Sequence, residues 1–572
     1  MTGMVFKKVP IGVDNFSKIA NKDNNFLFID KSLLIKDLIE KGKEVSLIIR
    51  PRRWGKTLNM SMLKHFFSPV SAKSVFDDLK IARENNGYYI EKYQGKYPVI
   101  FISFKNIKQD SLDEFFEKVV DLISETYREH EQILTKSANL TDTQKKIYKL
   151  LLNREGNRAQ LENSLKFLSE CLYHHYNEKV IILIDEYDTP LNAVYNKDYF
   201  EQVINFFKGM FGAALKGNDV LEKGIMTGIL RLSKNKMLSD INNLKLYSLM
   251  EEQYSQYFGF SEQEVKGLLN ESGVKIDLKD LQYWYNGYRS GTFTDIYNPW
   301  SILNCIDDKG MLKPYWIKTG NETLLKDIFN KVPKSTENKL IQLLEGGTIK
   351  STIDEYISFD QINDGREDIL WSLLWTTGYL KFSDKPTISE TGNYVGSLAI
   401  PNYEVSCSFR AVFPKWIRAF NRIKYDSFLN DLISGDVNSF TKDLKDYMLS
   451  IPSWFDFPEE SNYHTFLLGL TASLTETHEV VSNKEVGLGR VDFLLTPKDL
   501  SNSLGIIIEF KRGETEKDLK IYEALAMTGL KQITDKKYHS NLKLNPNIKQ
   551  ILNLCIVFYG KQFVYKYAFE QL

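Results

Sequence analysis

A lysine and a threonine near residue 56 stand where a predicted strand turns into a predicted helix. The predicted strand 46–50, with the sequence SLIIR, leads through a short loop into Gly55-Lys56-Thr57, which opens the helix. A loop and helix start of this kind present unpaired backbone N–H groups to phosphate oxygens. Lys56 would reach the β- and γ-phosphates, and the Thr57 hydroxyl would hold Mg²⁺. The pattern therefore predicts a P-loop that binds ATP and Mg²⁺, with Gly55 where the backbone must approach phosphate.

The loop departs from the usual P-loop pattern at its first position, where Arg50 stands in place of glycine. Arg52 and Arg53 add positive charge where the anion would lie. Arg50 and Arg53 are therefore counted among the predicted cofactor-binding residues. Taken alone, the motif also fits an ordinary capped helix that happens to contain Gly-Lys-Thr, so its interpretation depends on a second motif.

The second motif is an apolar run, 180–184, that ends in Asp185 and Glu186. Carboxylates at the end of a buried strand cost free energy unless they face a site. In this Walker B arrangement, Asp185 would bind the Mg²⁺ shell, and Glu186 would position or activate the attacking water. Asp188 fits either a supporting role beside them or a turn before Pro190. Two motifs in this order favour a nucleotide site.

A further predicted strand, 224–229, carries a threonine near its end and an arginine just beyond it. Thr227 is predicted to sense the γ-phosphate, as a polar residue at this strand end does in ATPases of the ASCE class. Arg231 fits two roles equally well. It would neutralise charge in the transition state, in the same chain or a neighbouring one, or it would form a surface salt bridge.

Two acidic residues and a lysine near the C-terminus lie on a predicted hairpin of adjacent strands. Asp492 stands early on the first strand, and Glu509 and Lys511 occupy alternate positions on the second. Alternation sends Glu509 and Lys511 to the same face of the sheet. Such a group suits phosphodiester hydrolysis, in which Asp492 and Glu509 would ligate Mg²⁺. Lys511 would orient or activate water and stabilise the phosphate in the transition state.

Other residues could complete this second site. Glu485 is preferred to Glu476 as an additional metal ligand because it lies closer to Asp492, and His464 and Gln532 lie on flanking predicted helices. An Asp followed by Glu-x-Lys is a short and common pattern, so its place on two apolar strands is what supports the interpretation. The predicted partner is nucleic acid, DNA or RNA, although acidic residues dilute the basic ones that follow.

Length and composition bound these interpretations. The 572 residues are too many for one core, and 74 basic and 74 acidic residues give a formal net charge of zero. This balance excludes a broad polyanion-binding surface, so each phosphate site must be local. Four scattered cysteines and seven histidines argue against a disulfide framework or a zinc centre. No apolar run approaches a membrane span, so no membrane partner is expected and a cytoplasmic location is predicted.

The elements that must position these residues indicate an α/β multidomain fold. Strands alternate with helices in residues 1–245, which predicts a parallel sheet. Residues 246–450 have mostly helical periodicity and are predicted to form a helical lid and connecting region. A last α/β unit is expected over 451–572. The predicted strands are 46–50, 97–104, 180–185, 224–229, 491–495, 505–510 and 552–558, and the last unit adds helices around 463–474 and 521–534.

The motifs, taken in order, resemble those of the bacterial AAA-ATPase-like family, whose members typically carry a PD-(D/E)XK nuclease-superfamily domain at the C-terminus. The resemblance covers nearly the whole chain. Its motifs are VPIGVDNFSKI, FIDKS, IIRPRRWGKTL, YPVIFISFK, IILIDEYDTP, TGILRLSK, YFGFSEQEV, WYNGYR, YNPWSILN, TGYL, YHTFLLGL, SNKEVGLGRVD and IIIEFK. It matches Lys56 and Thr57 to Walker A, Asp185 and Glu186 to Walker B, and Asp492, Glu509 and Lys511 to the nuclease signature. It also implies that arginine is common at the first P-loop position in this family.

The resemblance implies an ASCE/AAA-like parallel-sheet ATPase domain, a helical middle region and a restriction-endonuclease-like α/β domain, with ATP and Mg²⁺ as cofactors. The expected function is ATP binding and hydrolysis coupled to Mg²⁺-dependent cleavage of nucleic acid, in defence or mobile-element biology. The alternative is a STAND-like nucleotide switch or scaffold whose nuclease-like domain only binds nucleic acid or a partner. Such a switch would change its oligomeric state, so further copies of the chain stay open as partners.

Overall fold

A computed structural model describes most of the chain. It does not describe residues 1–6, 231–237, 239–240, 292, 317–330, 334, 345, 358–360, 362–363, 410–427, 451–473, 475–476, 488, 500–501, 514–518 and 560–561. Among the described residues, no helix combines the length and the apolar character that crossing a membrane requires. The chain divides into two compact units, one formed by Met1–Val332 and Lys350–Ser406 and the other by Pro333–Ile349 and Cys407–Leu572. The boundaries after residues 245 and 450 stay predictions.

The first unit is built on a five-stranded parallel sheet with the strand order β2-β3-β4-β1-β5. Its strands are β1 Val45–Ile49, β2 Val99–Ser103, β3 Val180–Asp185, β4 Leu221–Gly228 and β5 Leu244–Tyr247. Every residue of β1 and β3 is buried, as expected for parallel strands covered on both faces. Strand β4 lies between the P-loop strand and the Walker B strand, so the sheet has the ASCE order. The predicted parallel α/β class is confirmed.

Helices connect these strands and bring the P-loop and Walker B carboxylates to one edge of the sheet. Those of the first unit are Phe16–Ala20, Leu33–Lys41, Lys56–Phe67, Lys80–Arg83, Tyr88–Tyr93, Leu112–Arg128, Glu131–Leu134, Asp142–Leu152, Arg158–Glu162, Ser164–Tyr176, Thr189–Val194, Phe200–Leu215, Glu262–Ser272, Leu278–Tyr285, Pro299–Asp307 and Glu367–Thr376. Side-chain caps divide the long polar stretch after β2. Ser111 accepts a hydrogen bond from the backbone of Glu114, and Thr141 forms a capping box with Gln144.

The middle of the chain holds short strands between its helices. They are β6 Tyr288–Ser290, β7 Phe293–Ile296, β8 Ile349–Ile353, β9 Lys381–Phe382, β10 Thr387–Ile388 and β11 Tyr394–Ala399. Strands β6 and β7 pair with each other, and β11 pairs with β8, β9 and β10. Four of these strands were not predicted because they have only two to four residues, too few for alternation to be recognised. The longer β8 and β11 were not predicted because they are only partly buried and so lack a continuous apolar run.

The second unit contains a five-stranded mixed sheet with the order β12-β13-β14-β15-β16. Its strands are β12 His478–Val486, β13 Gly489–Pro497, β14 Leu504–Arg512, β15 Gln550–Tyr559 and β16 Gln562–Gln571, and its helices are Ser335–Leu344, Val437–Ser450, Leu519–Asp535 and Ser540–Lys543. Only β14 and β15 pair in parallel, and the helix Leu519–Asp535 supplies the crossover that a parallel pair needs. Strands β12 and β16 were not predicted, and the predicted helix at 463–474 falls almost wholly outside the described residues.

Candidate nucleotide and metal sites

The P-loop turns from β1 into the helix Lys56–Phe67 through left-handed backbone. Gly55, which caps the helix, has φ +79°. Glycine adopts this conformation at little cost, so the first N–H groups of the helix can face an open cleft. The Lys56 ammonium is buried and donates hydrogen bonds to the carbonyl oxygens of Arg50 (3.0 Å) and Pro51 (2.9 Å). Burial lowers the pKa of Lys56, while Glu186 and other nearby carboxylates raise it.

The cleft beside the loop has a volume of about 550 Å³ and an excess of positive charge. Its cationic lining residues are Lys31, Arg52, Arg53, Lys56, Lys105 and Lys108, whereas its acidic ones are Asp14 and Glu186. Aromatic side chains such as Phe28, Phe260 and Trp300 form other parts of the wall. A cleft that combines cations, helix N–H groups and aromatic surface suits a nucleoside polyphosphate.

Asp185 lies at the end of β3 with no exposed surface. Three hydroxyl groups donate to its carboxylate: Thr57 (2.8 Å) and Ser103 (3.3 Å) to Oδ2, and Thr227 (2.5 Å) to Oδ1. Burial raises the pKa of Asp185, and the hydrogen bonds from Thr227 and Thr57 oppose that change. The network brings the P-loop threonine, the Walker B aspartate and the predicted sensor threonine of β4 into direct contact.

The spacing of Thr57 and Asp185 fits a shared Mg²⁺ ion. Octahedral ligands at 2.0–2.1 Å from Mg²⁺ place neighbouring oxygen atoms about 2.9 Å apart, and Thr57 Oγ1 lies 2.8 Å from Asp185 Oδ2. In the part of the chain that the structure describes, no group of three or more His, Cys, Asp or Glu residues could hold a metal ion. A Mg²⁺ ion bound beside Thr57 and Asp185 would take water and phosphate oxygens as its other ligands.

Glu186 has a backbone conformation that is unusual for any residue except glycine, with φ +51°. Its side chain is half-buried and lines the cleft together with Lys56 and Thr57. The Thr189 hydroxyl donates to Glu186 Oε2 at 3.1 Å. The left-handed turn therefore places a carboxylate on the cleft wall directly after the buried strand, where it could act on a water molecule.

The side chain of Arg50 is engaged elsewhere. Its guanidinium is fully buried, and Nη1 donates to the carbonyl oxygens of Ile49 (2.7 Å), Tyr247 (2.9 Å) and Ser248 (2.9 Å). The group also lies over the Phe258 ring, 5.2 Å from its centroid, and burial lowers its pKa to about 9. Arg50 therefore links β5 to the P-loop strand β1. Its predicted binding to nucleotide stays a prediction, and these hydrogen bonds do not support it.

Arg53 and Trp300 form a cation–π pair on the cleft wall. The Arg53 guanidinium lies 4.1 Å from the centroid of the Trp300 ring, and the Arg53 side chain is exposed. An exposed guanidinium on the cleft wall can reach an anion, and the cofactor-binding role of Arg53 stays a prediction. Trp300 was not predicted, although it stands in the motif YNPWSILN. Arg231 lies outside the described residues.

In the second unit, Asp492 lies where β13 and β14 separate. The paired positions of the two strands end at Phe493 and Ile508. Just beyond them, Asp492 Oδ2 accepts a hydrogen bond from the backbone N–H of Phe510 at 2.8 Å. The Asp492 carboxylate thus takes the place of a main-chain acceptor for Phe510, the residue between Glu509 and Lys511.

Glu509 is almost fully buried, and two side chains donate to its Oε1: Lys511 at 2.8 Å and Gln532 at 2.5 Å. Gln532 comes from the helix Leu519–Asp535 and also donates to the Tyr538 hydroxyl at 3.3 Å. That hydroxyl in turn donates to the carbonyl oxygen of Arg490 at 2.8 Å. The helix is therefore tied to both strands at the acidic site, which suits two carboxylate ligands for Mg²⁺ with an ammonium beside them.

Two further residues, Glu485 and His464, were also predicted to belong to this site. Glu485 is on β12, where its backbone pairs with Arg490 of β13, but its side chain is not among those described. Its role as a metal ligand stays a prediction. His464 lies outside the described residues.

Comparisons with known proteins agree with this two-part arrangement. Residues 10–238 match the family described as predicted AAA-ATPase, and residues 458–568 match the PD-(D/E)XK nuclease superfamily. The chain is also similar to an uncharacterized protein in the vnfD 5′ region of Azotobacter chroococcum mcd 1, with 24% identity over 547 residues and 93% of each chain covered. The first match contains the P-loop and Walker B residues, and the second contains Asp492, Glu509 and Lys511.

Proposed function

Since the chain combines an AAA-ATPase-like domain with a C-terminal PD-(D/E)XK nuclease-superfamily domain, we propose that it binds and hydrolyses ATP and cleaves phosphodiester bonds in nucleic acid. Both reactions would use Mg²⁺. We propose further that the nucleotide state of the first domain controls cleavage by the second, in defence or mobile-element biology. A cytoplasmic location belongs to the same proposal.

The three hydroxyl hydrogen bonds to Asp185 carry the ATPase half of the proposal. They join Thr57 of the P-loop and Thr227 of β4 to the buried carboxylate of Asp185 at the end of β3. A change at the γ-phosphate would therefore be transmitted to both β3 and β4. Thr57 and Asp185 would hold the metal, which neutralises charge on the phosphates when it is bound. Glu186 on the cleft wall would orient and deprotonate the attacking water.

The contact between Lys511 and Glu509 carries the nuclease half. Asp492 and Glu509 would hold a divalent metal ion, which polarises the scissile phosphate when bound. The Lys511 ammonium, 2.8 Å from Glu509 Oε1, would orient water and balance the charge that develops on the phosphate. A few cations and a metal are sufficient for this chemistry in a chain of zero net charge.

Nucleotide binding tests the first half with two lysines of the same helix. Lys56→Ala removes the ammonium beside the loop carbonyls, whereas Lys64→Ala removes one that pairs with Glu129 at the surface. We expect Lys56→Ala to weaken binding of a fluorescent ATP analogue at least 100-fold and Lys64→Ala to leave it within about twofold. Equal affinities for the two variants would refute the P-loop assignment.

Cleavage tests the second half. Wild-type protein with Mg²⁺ or Mn²⁺, with and without ATP, is incubated with single- and double-stranded DNA and RNA, beside Glu509→Ala. We expect cleavage of at least one substrate by wild type and none by the variant, while ATP hydrolysis is equal in both. Cleavage of no substrate, together with a change in oligomeric state between ATP and ADP, would support the STAND-like switch instead.

A further inference from the structure

The turn that carries Glu186 is bound to the end of β4 by hydrogen bonds of the next two residues, Tyr187 and Asp188. The backbone N–H of Tyr187 donates to the carbonyl oxygen of Thr227 at 3.1 Å. The Tyr187 hydroxyl donates to the carbonyl oxygen of Leu230 at 2.6 Å. Asp188 Oδ2 accepts from the backbone N–H groups of Ile229 (3.0 Å) and Leu230 (2.8 Å). We call this group, Tyr187 and Asp188 with residues 227–230, the latch.

The latch is fully enclosed. Tyr187 has no exposed surface, and Asp188 has 1%. A buried carboxylate is costly unless hydrogen bonds hold it, and here two adjacent main-chain N–H groups and the Asn192 amide do so. The latch is therefore a specific arrangement of polar groups within the core and not a solvated turn.

Gly228 leaves the space in which the latch closes. A Cβ atom at this position would lie 2.6 Å from Tyr187 Cε1 and 2.8 Å from Asp188 Oδ1. Both distances are far below van der Waals contact, so any larger residue would push the tyrosine ring and the carboxylate out of place. Gly228 is also the last residue of β4, directly after Thr227.

Glu186 needs support on both sides because its left-handed backbone is strained. The strain persists only when neighbouring residues over-determine the conformation. On one side, Asp185 is held by the hydroxyls of Thr57 and Thr227. On the other side, only Tyr187 and Asp188 separate Glu186 from the helix Thr189–Val194, and both belong to the latch.

We propose that Tyr187 and Asp188 are positioning residues that fix the Glu186 carboxylate on the cleft wall by locking its turn to the end of β4. This inference rests on the proposed ATPase activity, in which Glu186 acts on water. Release of the latch would let Glu186 relax to an ordinary conformation and turn its carboxylate away from the nucleotide. ATP binding depends on Lys56 and the P-loop, so it would be unaffected.

Tyr187→Phe tests the proposal with a matched control. The substitution removes one buried hydroxyl that donates to a main-chain carbonyl. Tyr127→Phe removes another of the same kind in the same unit, since the buried Tyr127 hydroxyl donates to Ser164 at 2.8 Å. We expect Tyr187→Phe to lower kcat for ATP hydrolysis about tenfold with ATP affinity unchanged, and Tyr127→Phe to leave both unchanged.

Two further measurements separate positioning from general stability. Thermal midpoints of the two Phe variants are expected to be similar, whereas amide hydrogen exchange of peptides covering 185–190 and 227–230 is expected to rise in Tyr187→Phe alone. Asp188→Asn keeps an oxygen for the two N–H groups, so it is expected to retain more kcat than Asp188→Ala.

The outcomes distinguish this inference from the proposal beneath it. Wild type without ATP hydrolysis would overturn the proposed function and the inference together. Hydrolysis by wild type with equal kcat in Tyr187→Phe and Tyr127→Phe would overturn the inference alone. So would a loss of ATP affinity in Tyr187→Phe that matches its loss of kcat.

Discussion

The Thr57 hydroxyl lies 2.8 Å from the Asp185 carboxylate, although the two residues are 128 positions apart in the chain. The contact exists because β1 and β3 end at the same edge of the parallel sheet, one leading into the P-loop and the other into the Walker B turn. Ligands for phosphate chemistry commonly meet at the carboxyl ends of parallel strands. The single bond therefore locates the candidate ATPase site within the first unit.

Thr57→Val keeps the shape of the side chain and removes its hydroxyl. We expect the variant to bind ATP but to lower kcat for hydrolysis about 100-fold, because Asp185 would be the only protein ligand left of the pair. Thr57→Ser, which restores the hydroxyl, is expected to recover most of the activity. Steady-state ATPase assays over a range of Mg²⁺ concentrations measure both effects. Full activity in the valine variant would exclude the predicted metal-binding role of Thr57.

Lys511→Ala removes the ammonium of the second site and keeps the carboxylates of Asp492 and Glu509. We expect nuclease activity to fall 100-fold or more, because the Lys511 ammonium donates directly to Glu509 and supplies positive charge at the site, and we expect ATP hydrolysis to stay unchanged. The control is Lys543→Ala, which removes a lysine that pairs with Glu570 in the same unit. Rates of cleavage measured on one substrate for both variants provide the comparison. Equal losses would show that the effect of Lys511→Ala is not specific to the site.

The fold was largely predictable because buried parallel strands leave a strong signal. All four strands predicted up to residue 245 exist, and β3 spans the predicted 180–185. Strand β5 was not predicted, since its sequence LKLY is short and only partly buried. The short strands of the middle region were missed for the same reason.

Only those parts of each site that lie within one short sequence motif were predictable. Asp185 could be identified as a carboxylate at a strand end, and Glu509 from the pattern of an Asp followed by Glu-x-Lys. Several of their partners, however, come from distant elements. Gln532 reaches Glu509 because Gly529 lets its helix lie close to β15, and the side chain of Arg50 turns to β5. The latch at Tyr187 depends on the pairing of β3 with β4, a relationship between strands that no spacing along the chain encodes.

Gly529 and Gly267 are expected to respond oppositely to alanine. Both are helical, but a Cβ atom at Gly529 would lie 2.2 Å from Cys555 Sγ, whereas nothing lies within 4 Å of one at Gly267. We expect Gly529→Ala to lower the free energy of unfolding by about 1–3 kcal/mol through overpacking. Gly267→Ala should raise it by about 0.5–1 kcal/mol through helix propensity. Denaturant unfolding measures both, and Cys555→Ala should relieve the defect of Gly529→Ala.

Glu404 makes the stability of the first unit depend on pH. The Glu404 side chain is fully buried and accepts hydrogen bonds from the Ser301 hydroxyl (2.6 Å) and the backbone N–H of Trp316 (2.8 Å). Burial raises the pKa of Glu404 from 4.5 to about 7. The folded state therefore binds the proton more tightly than the unfolded state. Below pH 4.5 this carboxyl is protonated in both states. As the pH rises from 4.5 through 7, its contribution to stability is lost, by about 3 kcal/mol in total.

Glu404→Gln removes this titration while keeping the size of the side chain. We expect the thermal midpoint of the variant to exceed that of wild type at pH 8 and the two midpoints to converge near pH 5, as measured by calorimetry. The exposed Glu390→Gln serves as the control and should show no such divergence. A difference between Glu404→Gln and wild type that is the same at both pH values would mean that Glu404 is charged in the folded protein throughout this range. The hydrogen bonds from Ser301 and Trp316 would then outweigh the cost of burying the carboxylate.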